Sequence, residues 1–273
     1  MIGIEKEIYK AIDNNDIEEL QKLSEKGANM AQSNFLDYCM DKQNLPLIKY
    51  FVEKGVDINK KDTTGMSPFM HASKGIETED IEIVKYFIKK GANINDKMHD
   101  GMNIVGISSL YGNRIITKLL VEKGGDINNS CIYGYTPLIY AVINNDFNLV
   151  KYLVKKGADV NSKNYSNKTP LYWACQHRDE KIAKFLIKNN ADVNHKDYNE
   201  ITPLMTAVMN RDIETIRLLL KNGADVLATS KSGETAVSIA MSICNIEILD
   251  LLKKHRRKQE TKLLENLTCK IYK

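Results

Sequence analysis

Residues 131–161 read CIYGYTPLIYAVINNDFNLVKYLVKKGADVN, and this stretch decides the fold. Thr136 offers a hydroxyl to cap a helix, and Pro137 then sits at the first helical position, where its missing N–H costs nothing. Leu138, Ala141 and Val142 follow at helical spacing, which predicts a short helix with one apolar side. Asn144-Asn145-Asp146 breaks it, and Asp146 is a good cap for a second helix. Along that second helix Leu149, Val150, Leu153 and Val154 recur at three and four residues. Gly157 supplies the left-handed backbone that ends it, and Ala158-Asp159-Val160-Asn161 leads out toward a turn.

The pattern then restarts. The phrase Lys-Gly-Ala-Asp-Val-Asn and its variants recur, with the glycine at Gly27, Gly55, Gly91, Gly124, Gly157 and Gly223 and with Asn190 in its place once. The steps are 28, 36, 33, 33, 33 and 33 residues. Each predicted helix has only two or three turns, and isolated helices shorter than about 12–15 residues are marginal in water. One unit therefore cannot stand alone, and its apolar side must be covered by its neighbours. Small residues such as Ala141, Ala174 and Ala207 let helix pairs approach closely.

A 33-residue period with the segments Thr136-Pro137-Leu138, Thr169-Pro170-Leu171 and Thr202-Pro203-Leu204 resembles the ankyrin repeat over residues 5–255. The resemblance implies an all-α solenoid of helix-turn-helix pairs joined by β-hairpin loops, about eight units including caps. The expected boundaries are a capping helix pair at 1–27, repeats at 28–55, 56–91, 92–124, 125–157, 158–190 and 191–223, a C-terminal capping repeat at 224–254 and a basic, amphipathic tail at 255–273. No Pro- or Ser-rich linker divides the chain, so one array is expected. Some units depart from the pattern. Unit 28–55 lacks the residues of a hairpin tip, and Asn34 aligns with the usual threonine. Unit 56–91 carries an excess at Gly75-Ile76-Glu77-Thr78-Glu79. Unit 92–124 has Asn103-Ile104 instead of Thr-Pro and a glycine, Gly106, inside its first helix, at a cost of about 1 kcal/mol relative to alanine. The last unit keeps the cap in Thr235-Ala236-Val237 and loses the proline.

Composition bounds the rest. Of 273 residues 43% are hydrophobic and 27% charged, enough to bury a core and stay soluble. A net charge of +4, well interspersed, does not suggest a dedicated nucleic-acid binder. Cys39, Cys131, Cys175, Cys244 and Cys269 are odd in number and form no Cys-x-x-Cys pair, which fits a reducing, cytoplasmic setting. Glu5, Lys6 and Glu7 stand where a signal peptide needs an apolar run, and no stretch of 18 apolar residues occurs.

A search for chemistry returns little. His71, His99, His177, His195 and His255 form no zinc-helix spacing, and none lies near two cysteines. His177-Arg178-Asp179 spells the start of a kinase catalytic loop, but the required asparagine is Lys184, and no Gly-rich phosphate loop exists. Cys39 and Cys175 occupy alanine positions of first helices and read as small core residues. The run Lys253 to Lys258 has two readings: a nuclear-import or nucleic-acid patch, or, preferred, the solvated C-terminal end of a helix. No enzyme, cofactor or metal is expected.

The resemblance implies that a partner protein meets the hairpin tips and the exposed side of the first helices. Among the tip positions are Met66, His99, Met102, Ile132, Tyr133, Tyr135, Tyr165, Lys168, Tyr198 and Ile201, and among the first-helix positions Tyr111, Ile143, Trp173, His177 and Met209. Exposed aromatic and methionine side chains bury much area at small entropic cost. For Trp173, packing and contact are both open. The expected function is a non-catalytic, monomeric scaffold or adaptor. Its partner is another protein rather than nucleic acid or membrane. A pathogen, symbiont or viral effector would use the same surface.

Overall fold

The computed structural model describes residues 2–75 and 78–271, with side chains over 3–75 and 80–261. Among them sixteen helices form eight pairs. The pairs are α1 (Ile2–Asp13) with α2 (Ile17–Glu25), α3 (Ser33–Asp41) with α4 (Leu45–Glu53), α5 (Pro68–Ala72) with α6 (Thr78–Lys89), and α7 (Ile104–Leu110) with α8 (Arg114–Glu122). Then come α9 (Pro137–Ile143) with α10 (Phe147–Lys155), α11 (Pro170–Gln176) with α12 (Glu180–Lys188), α13 (Pro203–Met209) with α14 (Ile213–Lys221), and α15 (Ala236–Ser242) with α16 (Ile246–Ile271). The fold is an all-α repeat solenoid. Extended pairing among the described residues is limited to isolated bridges, Lys97 with Asn103 and Thr229 with Thr235.

Capping chemistry sets the helix starts. The hydroxyls of Thr136, Thr169 and Thr202 accept the amides of Ile139, Tyr172 and Met205, and a proline follows each threonine. Second helices start on a carboxylate or amide instead: Asp146, Asp179 and Asp212 accept from Leu149, Ile182 and Thr215 at 3.0, 2.8 and 3.2 Å. Each such cap contributes on the order of 1 kcal/mol.

The chain divides at Cys131/Ile132 into two compact units. In the first, α3 packs on α5, α4 on α6 and α6 on α8, with Phe35, Phe51, Phe69 and Phe87 fully enclosed. In the second, α9, α11, α13 and α15 pack in sequence, as do α10, α12 and α14. Leu138, Leu153, Leu171, Leu186, Leu204 and Leu219 form its core. Burying one such side chain stabilises by about 1.5–3 kcal/mol before entropy is counted.

The Asn of the recurrent phrase joins neighbouring units. Asn161 donates its amide to the carbonyl of Asn190 at 3.0 Å and accepts the N–H of Asp192 at 2.8 Å. Asn194 does the same with Gly223 and Asp225, and Asn95 with Gly124 and Asp126.

Two expectations are corrected. Asn34 is not the cap of α3: the helix starts at Ser33, Gln32 precedes it without a side-chain hydrogen bond, and Asn34 donates to the Tyr9 hydroxyl. In unit 92–124 Asn103 stands in for the threonine as the cap and accepts the Gly106 amide at 2.9 Å. Lys253 to Lys258 do not end a helix: α16 continues to Ile271, so the run lies beyond reach of its C-terminal dipole. Gln259 anchors α16 through the Ala224 carbonyl at 2.8 Å and the Val226 amide at 3.0 Å. The side chains of residues 262–273, Cys269 among them, lie outside the described side chains.

Candidate functional site

The hairpin tips are small closed rings built on an aspartate or asparagine. Asn164 donates its N–H to the Lys168 carbonyl at 3.1 Å, and its side-chain oxygen accepts the amides of Ser166 and Lys168, both at 3.0 Å. Asp197 repeats the arrangement with Asn199 and Ile201 at 2.9 Å each. Asp62 does so with Thr64 and Met66 at 2.7 and 3.0 Å. Burial alone would raise the Asp62 carboxyl. Hydrogen bonds from Thr64, His71 and the Met66 and Thr64 amides outweigh burial and hold the group well below the usual carboxylate range. The His71 Nε2 lies 2.9 Å from its second oxygen.

In the second unit the tips are also tied to one another. The Tyr165 N–H donates to the Tyr133 carbonyl at 2.8 Å, Tyr198 to Ser166 at 3.2 Å and Lys231 to Asn199 at 3.0 Å. Gly134 makes the first junction possible. Its φ is +77°, and a Cβ there would stand 2.7 Å from the Asn164 Cα. On this bonded edge Tyr133, Tyr165 and Tyr198 are 58%, 70% and 61% exposed, with Ile132 beside them at 51%.

A second group of rings lies behind the tips. Tyr135 stacks on Tyr140 at 5.5 Å between centroids and leans on Trp173 at 6.0 Å. Tyr172 meets Trp173 edge-on at 5.5 Å, and His177 stacks on the indole at 6.2 Å. The Lys168 ammonium sits 4.3 Å from the Tyr172 centroid and 5.7 Å from that of Trp173. The indole N–H of Trp173 is buried and meets no acceptor. Trp173 is thus partly packing and partly surface, and His177 is exposed.

Other expected site residues separate by depth. His99 and Tyr111 in the first unit and Met209 in the second are exposed; Ile143, Ile201, Tyr135 and Lys168 are half-buried. Met66 and Met102 are corrected: they are buried, at 4% and 7% exposure, and are not contact residues at a tip. Both immediately precede the cap of a first helix, Ser67 or Asn103. The backbone of that position closes the ring, as in the 2.9 Å bonds from Asp62 to Met66 and from Met98 to Met102. Its side chain turns inward. Tyr135, Lys168 and Ile201 occupy the equivalent position, which explains their half-burial.

One feature of the first unit was missed from sequence. A cavity of about 550 Å³ opens between α3, α5 and the tip at 60–66, lined among others by Ser33, Asp37, Asp41, Lys60 and His71. The five-residue deficit of unit 28–55 was its signal, since a unit with no hairpin leaves that space unfilled.

Two of the cysteines are withdrawn from solvent. Burial pushes the Cys39 thiol up to about 12 and raises Cys175 further, so neither is a thiolate nucleophile near neutral pH. No group of three or more His, Cys, Asp or Glu able to hold a metal occurs among the described residues. Nor is any described helix long and apolar enough to cross a membrane.

A comparison with curated proteins returns no significant match. The family model for ankyrin repeats (3 copies) matches at 8–98, 69–164, 105–197, 161–230 and 196–263, overlapping segments that together cover nearly the whole chain. Periodicity, caps, closed tips and family match agree, and the chain belongs to the ankyrin-repeat family, whose repeats are protein–protein interaction modules.

Proposed function

We propose that the chain is a non-catalytic adaptor of the cytoplasm that binds a partner protein through the second unit, using the tips and the exposed side of α9, α11 and α13. The observation that carries this reading is the row of Tyr133, Tyr165 and Tyr198, three largely exposed rings on tips already locked by backbone hydrogen bonds. Side chains on a rigid support lose little further freedom when a partner covers them. Tyrosine combines large area with a polar end, the composition of interface hot spots. The free thiols of Cys39, Cys175 and Cys244 support a reducing compartment.

The test is affinity purification from the native cell with mass spectrometry, followed by titration calorimetry with the identified partner. Tyr133→Ala with Tyr165→Ala weakens binding by at least about 2 kcal/mol if both are hot spots. The far-ultraviolet circular dichroism stays unchanged, because neither ring contributes to the core. Unchanged affinity in the folded double variant would move the contact elsewhere.

A further inference from the structure

The second helices α10, α12 and α14 have nine residues each, whereas α16 has 26. Its first part is seated like the others, with Ile248 and Leu252 buried. Further along, His255 and Gln259 are half-buried, and Gln259 bonds the Ala224 carbonyl and the Val226 amide. Positions 248, 252, 255 and 259 recur at four, three and four residues, the spacing of a single helix face. That face rests on the array, and the opposite side of α16 is left to solvent.

The outward side is dominated by positive charge. Residues 250–262 hold six Lys and Arg against Asp250 and Glu260. Their net charge of +4 equals that of the entire chain, so the remaining residues are neutral in sum. Lys253, Lys254, Arg257 and Lys258 are exposed. The carboxylates around them are Asp250, exposed and one turn before the run, and three that are already engaged. Glu260 is held by Arg256 at 2.8 Å, and Glu247 by Arg217 at 3.1 Å. Asp225, beside the Gln259 anchor, accepts the Leu227 amide at 2.8 Å. Among the described residues none of the four outward cations has an ion pair. Nor does a helix dipole account for them, because α16 runs on to Ile271.

From Lys253 to Thr261 every exposed residue is Lys, Arg or Thr. A protein interface needs an apolar centre, and a helix lying in a membrane surface needs an apolar face to bury. Single-stranded nucleic acid is held by aromatic rings stacked on its bases. The outward side of α16 offers none of these. At 3.6 residues per turn its four cations fan over about 140° of the helix. A flat anionic surface meets few of them at once, whereas phosphate rows on both sides of a groove reach either flank. We propose that this side of α16 binds the phosphate backbone of a double-helical nucleic acid, without regard to its sequence. The site is separate from the tyrosine tips and independent of their docking role.

Fluorescence anisotropy of the full chain with labelled 24-base-pair DNA duplexes tests it. Two duplexes of unrelated sequence are expected to bind equally. Each neutralised phosphate adds about 0.9 to the slope of log affinity against log salt, so four contacts weaken binding about a hundredfold between 50 and 200 mM salt. Lys254→Gln with Arg257→Gln halves that slope, and adding Lys253→Gln and Lys258→Gln abolishes binding at 50 mM salt. Glutamine keeps the helix propensity of lysine, and circular dichroism checks the fold. Lys151→Gln with Lys184→Gln, exposed cations of α10 and α12, leaves binding unchanged, as does Tyr133→Ala with Tyr165→Ala. Absence of duplex binding at 50 mM salt, or a salt slope that the α16 substitutions leave unmoved, would overturn the proposal. Tighter binding of a single strand of the same length would overturn it in favour of an unpaired nucleic acid. Binding to phosphatidylserine vesicles without binding to duplexes would overturn it in favour of a lipid surface.

Discussion

Replacing Gly134 by alanine tests the junction that aligns the tyrosine tips. Alanine must adopt φ near +77° there, and left-handed backbone costs an L residue about 1–2 kcal/mol. The new Cβ also lies 2.7 Å from the Asn164 Cα and 2.9 Å from the Lys163 carbonyl oxygen, backbone atoms that cannot swing aside. The tip must retreat, and the 2.8 Å bond from Tyr165 to Tyr133 is lost, at about 1 kcal/mol. The expected total is about 2–3 kcal/mol, the sum of the backbone and hydrogen-bond costs. Gly157→Ala is the control: φ is +96°, but nothing lies within 4 Å of the added carbon, so only the backbone cost of about 1–2 kcal/mol applies. Amide exchange resolves the two effects locally. In Gly134→Ala the Tyr165 amide loses protection, whereas in Gly157→Ala it does not. Equal destabilisation by the two variants, or an unchanged Tyr165 exchange rate in the first, would refute the close-approach argument.

Leu153→Ala, at a fully buried site on α10, lowers stability by about 2–5 kcal/mol in urea unfolding through lost burial and a cavity. Gly106→Ala does not yield the gain of about 1 kcal/mol that helix propensity alone promises, because the new carbon would meet the buried Met102 Cγ at 2.9 Å; thermal unfolding measures the difference. The Asp62 carboxyl is depressed in the folded chain, so its contribution is present above the ordinary carboxylate pKa and is lost as pH falls toward its folded value. Exchange at 62–66 therefore accelerates below about pH 4 after correction for intrinsic rates, and Asp62→Asn removes that acid-dependent step.

The repeat was legible because each unit declares its own ends. Thr136, Thr169 and Thr202 cap as read, and Gly157 takes positive φ. Asn190 takes the same backbone at φ +67°, the glycine substitute that a short polar side chain permits. The caps at Asp146 and Asn103 show the limit of a fixed motif: any side chain with a reachable oxygen serves, so a missing threonine is not a missing cap. The face was harder to read. Counting along a 33-residue period identifies tip positions but not which way a side chain leaves the closed ring. Tyr133 and Tyr165 point out, whereas Met66 and Met102 turn in from the position before the cap. Direction at that position follows from ring closure through the aspartate or asparagine, which depends on three-dimensional hydrogen bonding. Trp173 was open for a related reason: its partial burial, like that of Tyr135, comes from rings on neighbouring units, as in the contact between the two.

The asparagine clasps between units touch only main-chain atoms of the neighbour. Asn161 and Asn194 each bond one carbonyl and one amide, groups available in any unit whatever its side chains. A joint of that kind is indifferent to the sequence it grips. A gene duplication or deletion of 33 codons, cut anywhere in the period, returns the same joint on both sides of the seam. The clasp thereby lets the number of units drift over evolutionary time while tip residues diversify independently, a division of labour in which assembly is fixed by the backbone and recognition is left to the side chains.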